Sequence, residues 1–285
     1  MLSISPERKA RFNQLWRVRS QLARECLAEA AGTFILLAFV NGGLAQLTLG
    51  EGKTTNYTGA AITTGLAVML GIHAAGGISG AHINPAVSIA MAFYGRFSWR
   101  NVPLYVISQC VGAFLGALIV YIVFYPAILA FDPDYSVAKT ASIFATFPMN
   151  AEYQMSAFVC ELVTTGLLVF QFFALEDSAN LPAHSAVKPL TIGLLVIALV
   201  LSFWMPTGVA LNPARDFGPR VFMALTGWGL DVFSAADYYF WVPICGPTVG
   251  AIVGGGAYMM VVSNHHSPEI DLQEGYLPEL NSPAL

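Results

Sequence analysis

Six stretches of the chain are apolar for about the length that crosses a bilayer: residues 26–49, 57–78, 102–130, 154–175, 187–205 and 239–262. A hydrocarbon core of roughly 30 Å takes roughly 20 helical residues, so each stretch predicts a membrane-spanning helix. Two polar interruptions break this pattern, at Gly77–Val87 and at Gly208–Arg220. Each contains Asn-Pro-Ala, the first at Asn84-Pro85-Ala86 and the second 128 positions later at Asn212-Pro213-Ala214.

Asn followed by Pro has the grammar of a helix start. Asn is a favoured N-cap, and Pro fits the first helical position because the amide it lacks would go unpaired there. A helix that starts inside the bilayer is tolerated only beside a protein-lined or watery cavity. If the Asn side-chain oxygen caps its helix, the amide NH2 is left as a free double donor facing that cavity. A single Asn-Pro-Ala carries little weight. Two at corresponding places of two apolar halves are the sequence mark of a membrane transport site.

The halves match elsewhere. Placing Glu29 on Glu161 also superposes Thr33 on Thr165. The pattern predicts two divergent copies, about 24–130 and about 152–262, within a core at 24–262. With three spans per copy, the second sits upside down relative to the first. The fold expected is an all-α membrane protein with six transmembrane helices and two re-entrant half-helices. A half-helix from Pro85 to Gly95 would extend roughly 16 Å at 1.5 Å per residue, about half the bilayer.

Composition agrees with lipid as solvent: 56% of the 285 residues are hydrophobic and 11% charged, against roughly 25% charged in soluble domains. The net charge of −4 decides little, but the placement of Lys and Arg predicts orientation. Arg8, Lys9, Arg11, Arg17, Arg19 and Arg24 precede the first span, Arg96 and Arg100 follow the second, and Lys188 precedes the fifth. The positive-inside rule then puts both termini in the cytosol. Residues 1–23 read either as an amphipathic surface helix or as a basic tail, and 263–285 as a polar cytosolic tail. Cys26, Cys110, Cys160 and Cys245 fall in predicted spans, which favours packing over a disulfide framework or metal site. No cofactor, metal or nucleic-acid partner is indicated.

On Ser79-Gly80-Ala81-His82-Ile83-Asn84-Pro85-Ala86, Asn212 through Arg220, and Ile143-Phe144-Ala145-Thr146-Phe147-Pro148, the chain resembles the major intrinsic proteins and, within them, the aquaglyceroporin branch. Asp216, Arg220, Pro243 and Ile244 match positions that separate that branch from water-only members. The resemblance implies a passive homotetrameric channel, one pore per subunit, for water, glycerol and other small uncharged solutes, set in lipid and here assigned to the plasma membrane. It implies that Glu29 and Glu161 brace the re-entrant loops. It also implies a narrowest point lined by Thr64, Val200, Val209 and Arg215. Water-only relatives carry an aromatic and a His at the first two positions, and many glycerol channels have aromatics at the first and third. This chain has neither set.

An intramembrane Arg marks function by default, and Arg215 stays free for it because Asp216 and Arg220 have the i,i+4 spacing to pair with each other. His82 and His73 read as hydrogen-bonded bundle residues, with a pH-sensing role for His82 as the alternative. Asn56-Tyr57-Thr58 is a glycosylation sequon on the outer side of the deduced topology, or a chance triplet. A coupled transporter would need a further set of intramembrane charges. An enzyme would need a catalytic motif such as His-Glu-X-X-His, which is absent from the sequence.

Overall fold

The computed structural model describes residue 14 and residues 17–266. The N-terminal expectation for residues 1–23 and the tail expectation for 263–285 therefore lie largely outside the described residues. The core is built from α1 (Gln21–Leu49), α2 (Tyr57–Ser79), α3 (Pro85–Phe93), α4 (Val102–Phe131), α5 (Gln154–Glu176), α6 (Lys188–Thr207), α7 (Pro213–Ala224) and α8 (Val242–Val261). Six segments, containing α1, α2, α4, α5, α6 and α8, are long and apolar enough to cross a membrane. The six apolar runs thus become helices, with ends displaced by a few residues.

Packing repeats under exchange of the two halves. In the first, α1 packs on α4 and α2; in the second, α5 packs on α8 and α6. Each half-helix leans on the last long helix of the other half, α7 against α4 and α3 against α8. The halves join along α2 and α6, where a Cβ on Gly65 would run into the carbonyl of Gly193. Small residues are what allow such backbone approach between membrane helices.

Both re-entrant segments leave their parent helix through a left-handed glycine. α2 ends on Gly80 at φ 81°, and α6 on Gly208 at φ 75°. Each chain then runs irregularly for three residues and restarts at its Asn. α3 is shorter than the sequence predicts. It stops at Phe93, and Gly95 at φ 72° turns the chain so that the Arg96 N–H bonds the Met91 carbonyl at 2.8 Å. Nine residues give roughly 13.5 Å, still about half a bilayer.

Candidate functional site

The two loops that feed the half-helices share an unusual backbone. Ala81 and Ile83 lie at φ 52° and 43°, Val209 and Leu211 at φ 54° and 57°. Left-handed geometry costs a non-glycine residue about 1–2 kcal/mol, so four such residues need holding. The buried Glu29 and Glu161 hold them. Glu29 Oε1 accepts from the His82 N–H (2.9 Å) and Oε2 from the Ile83 N–H (2.6 Å). Glu161 Oε1 accepts from the Ala210 N–H (2.8 Å) and Oε2 from the Leu211 N–H (3.0 Å). Ser79 Oγ and Gln109 Nε2 donate further bonds to Glu29, at 2.6 and 2.8 Å. With the amides turned to the glutamates, the carbonyls of Ala81, His82, Val209 and Ala210 accept no protein hydrogen bond among the described residues. Their residues line the inner cavity.

Each Asn caps its own half-helix: Asn84 Oδ1 accepts from the Ala86 N–H at 2.9 Å, and Asn212 Oδ1 from the Ala214 N–H at 3.0 Å. The amide groups are not the free double donors expected. Asn84 Nδ2 donates to the Leu211 carbonyl (2.9 Å) and Asn212 Nδ2 to the Ile83 carbonyl (2.8 Å), so each Asn fastens the opposite loop. The two loops meet tip to tip, close enough for this exchange. That leaves one N–H on each amide. Asn84 and Asn212 remain 5% and 6% exposed, and both line an inner cavity of about 90 Å³ whose remaining wall is mostly apolar. A solute there meets a few donors and acceptors on a poorly binding surface. Such a lining replaces water's hydrogen bonds without holding what passes.

Arg215 stands at the outer end of this cavity. It also lines a second, wider cavity of about 520 Å³, and is the one residue common to both linings. Its Nη1 donates to the Phe144 carbonyl at 3.0 Å. The rest of the guanidinium has no protein acceptor among the described residues. Of the other positions expected at the narrowest point, Thr64 and Val209 line the inner cavity. Thr64 Oγ1 donates back to the Ala60 carbonyl at 2.9 Å, so its hydroxyl hydrogen is already used. Val200 is not among the residues lining either cavity; it is 0% exposed and belongs to the cluster that holds Leu199, Val196 and Val209.

Asp216 and Arg220 do pair, and the pair carries a loop. Asp216 Oδ2 accepts from the Thr146 N–H (2.7 Å) and hydroxyl (2.6 Å). Arg220 donates to Asp216, to the Thr146 carbonyl and to the Val232 carbonyl, with its guanidinium 4.6 Å from the centre of the Phe147 ring. The same loop provides the Phe144 carbonyl that holds Arg215. These two charged residues therefore act on Arg215 at one remove. Pro243 is buried in the first turn of α8, and Ile244 accepts from Thr248 Oγ1 through its carbonyl. Neither lines either of these two cavities.

His82 lines the inner cavity, with Nδ1 3.0 Å from Ser88 Oγ and its ring against Phe97 and Tyr105 at 4.8 and 5.3 Å. His73 is exposed on the outside of α2. Asn56 is exposed, accepts from the Gly59 N–H at 3.0 Å to cap α2, and lines the outer cavity. Two features were missed in the sequence: the Gln109–Ser79–Ser88 ties around Glu29, and Trp204, which lines the outer cavity beside Arg215. Gln109 gives no sequence signal. Trp204 gives one, a large ring four residues past Val200 on the same helix.

A lumen running between two opposed half-helix starts, inside a bundle of membrane-length helices, is the build of a membrane channel. This chain belongs to the major intrinsic protein family, whose profile matches residues 17–258. Aquaporin-9 of Homo sapiens is 41% identical over 269 residues, covering 93% of this chain and 91% of that one. Aquaglyceroporin-2 of Rhizophagus irregularis is 43% identical over 239 residues, covering 82% and 76%. The X-ray structure of the aquaglyceroporin from Plasmodium falciparum aligns with a TM-score of 0.78 at 30% identity, over 88% of this chain and 100% of that one. These relatives support the aquaglyceroporin branch of the family, whose members are channels and not enzymes.

Proposed function

We propose that the chain is a passive channel for water, glycerol and other small uncharged solutes that excludes ions and protons. The observation that carries this reading is the pair Asn84 and Asn212, cross-fastened across the meeting point of two half-helices in an otherwise apolar cavity. Each Asn caps a helix start, so positive ends of two helix dipoles face the lumen. Together with Arg215 they oppose cations, hydronium included. The names of the relatives, aquaporin and aquaglyceroporin, point to the same solutes.

The working unit we propose is a homotetramer in the plasma membrane with both termini in the cytosol. The channel core spans 24–262 as two repeats, about 24–130 and 152–262. The large exposed apolar side chains on the long helices, such as Phe39, Ile107 and Leu194, suit lipid or a neighbouring subunit. Stopped-flow measurement on vesicles carrying the purified chain tests the channel reading. Water and glycerol should equilibrate without a gradient of any second ion, and dependence on an imposed ion gradient would reverse the assignment in favour of a coupled transporter.

A further inference from the structure

Thr64 and Val209 bring no ring to the inner cavity, and the wide cavity and the small one share a single lining residue, Arg215. Trp204 is the one tryptophan lining either cavity among the described residues. It sits four residues past Val200, in the last turn of α6, where the Gly208 N–H bonds its carbonyl at 2.7 Å. That spacing puts it about one turn further along α6, and unlike Val200 it presents surface to a cavity.

The ring is held from both halves. It packs against the cluster containing Val40, Leu44 and Ala60, and against the one containing Ala61, Val200 and Val209. Tyr57 meets it edge-on at 5.4 Å and 65°. Among the described residues its indole N–H donates to no protein group, although Trp donates when a partner is within reach. A tryptophan at a membrane end can simply anchor a helix at the headgroups. This one faces the outer cavity and bridges α1, α2 and α6, which an anchor has no need to do.

From this geometry we infer that Trp204 is a specificity-determining residue, supplying just outside Arg215 the aromatic wall that the narrow point lacks. It limits solute width and offers one donor beside the guanidinium. The inference rests on the channel reading above and adds the place where size is sensed.

The test is the permeability of vesicles carrying the full chain to water, glycerol, and four- and five-carbon linear polyols. Removing a ring's worth of wall changes discrimination between solutes that differ by one carbon by about tenfold or more, so Trp204→Ala should raise five-carbon relative to glycerol flux by that order. Trp204→Phe should keep the parental ratio. Trp204→Ala with Thr64→Phe, which transfers the ring from the outer cavity to the inner one, should restore it. Trp204→Leu keeps apolar packing on both clusters, and it should raise the ratio in the same direction if the alanine variant does not fold. Folded Trp204→Ala or Trp204→Leu with the parental ratio and retained glycerol flux overturns the inference. A parent that conducts no glycerol refutes the channel reading instead, and the two failures are distinct.

Discussion

Asn84 and Asn212 each do two things at once, which the sequence half reveals. The Asn-Pro pair signals a capped helix start, and the caps are there. The cross-ties to the carbonyls of Leu211 and Ile83 depend on the two loops meeting, and no local pattern encodes that. Substituting either Asn with Leu should therefore abolish most flux and also destabilise, because an acceptor and a helix end lose partners at about 1–3 kcal/mol for each buried group. Flux and thermal unfolding of Asn84→Leu and Asn212→Leu check this; parental flux in both would remove these residues from the pathway. Arg215 has a separate task. Its guanidinium, held among the described residues only through Nη1, lines both cavities, so Arg215→Val should raise proton or cation leak across vesicles while solute flux persists. A leak equal to the parental one would leave exclusion to the helix dipoles alone. Val200 marks what counting along the sequence does not reach: residue spacing gave its place on α6 but not its complete burial. The filter variant worth making is consequently Thr64→Phe by itself, since a larger side chain at Val200 has no cavity to enter.

The element that most needs explanation is the loop between a long helix and its half-helix. Its left-handed residues, two per loop, are stabilised by a carboxylate bound to consecutive amides. Glu161→Ala would leave the Ala210 and Leu211 N–H groups buried without acceptors, at about 1–3 kcal/mol each, and release the backbone that aims the lumen carbonyls. Lower folded yield and lost flux are expected, whereas Glu161→Gln, with one acceptor oxygen remaining, should fall between. Normal flux in folded Glu161→Ala would show that the loop holds its own shape. The sequence made the two glutamates legible through the repeat, while the strained geometry they support was not. A further tie joins helix ends. Asp177, just past α5, accepts from Tyr258 Oη on α8 at 2.7 Å and from the Ala179 N–H at 3.0 Å, with His266 Nε2 at 3.1 Å. Burial pushes the Asp177 carboxyl up, but these bonds and the His266 charge outweigh it and hold the pKa below its usual value of 3.8. A depressed pKa contributes stability that is complete above the unfolded-state value and is lost as pH falls through the folded one. The stability difference between the parent and Asp177→Asn should thus hold at neutral pH and shrink only in strong acid. A difference that does not change down to about pH 3, below the ordinary carboxylate range, would mean the tie does not depend on charge.

At the scale of the whole molecule, the fold was legible because lipid imposes simple rules: six apolar runs gave six helices, and a repeated interruption gave two half-helices. Which helices pair, and the glycine contact between Gly65 and Gly193, came only from the structure. The same architecture makes orientation testable. Glu51, Asn56, Ser142 and Met149 line the outer cavity at one end, and Lys53 and Lys139 lie in the connections of that end. At the other end, Arg96 reaches over the Phe173 ring at 4.0 Å near the end of α5, where Lys188 pairs with Glu176 at 2.8 Å. Arg19, Arg24 and Arg100 belong to that second end as well, because an even number of spans returns the chain to it. Basic residues are retained on the cytosolic side during insertion, so the end carrying Asn56 should face outside. Asn56 caps α2 through Oδ1 and leaves Nδ2 for a glycan, so modification and capping are compatible. In a eukaryotic membrane the chain should shift in gel mobility on N-glycosidase treatment, and Asn56→Gln should abolish the shift. Because a sequon close to the bilayer can escape modification, a cysteine placed at Lys53 should be labelled by an impermeant thiol reagent added from outside. Labelling from the cytosolic side alone would invert the molecule and turn the wider cavity toward the cytosol.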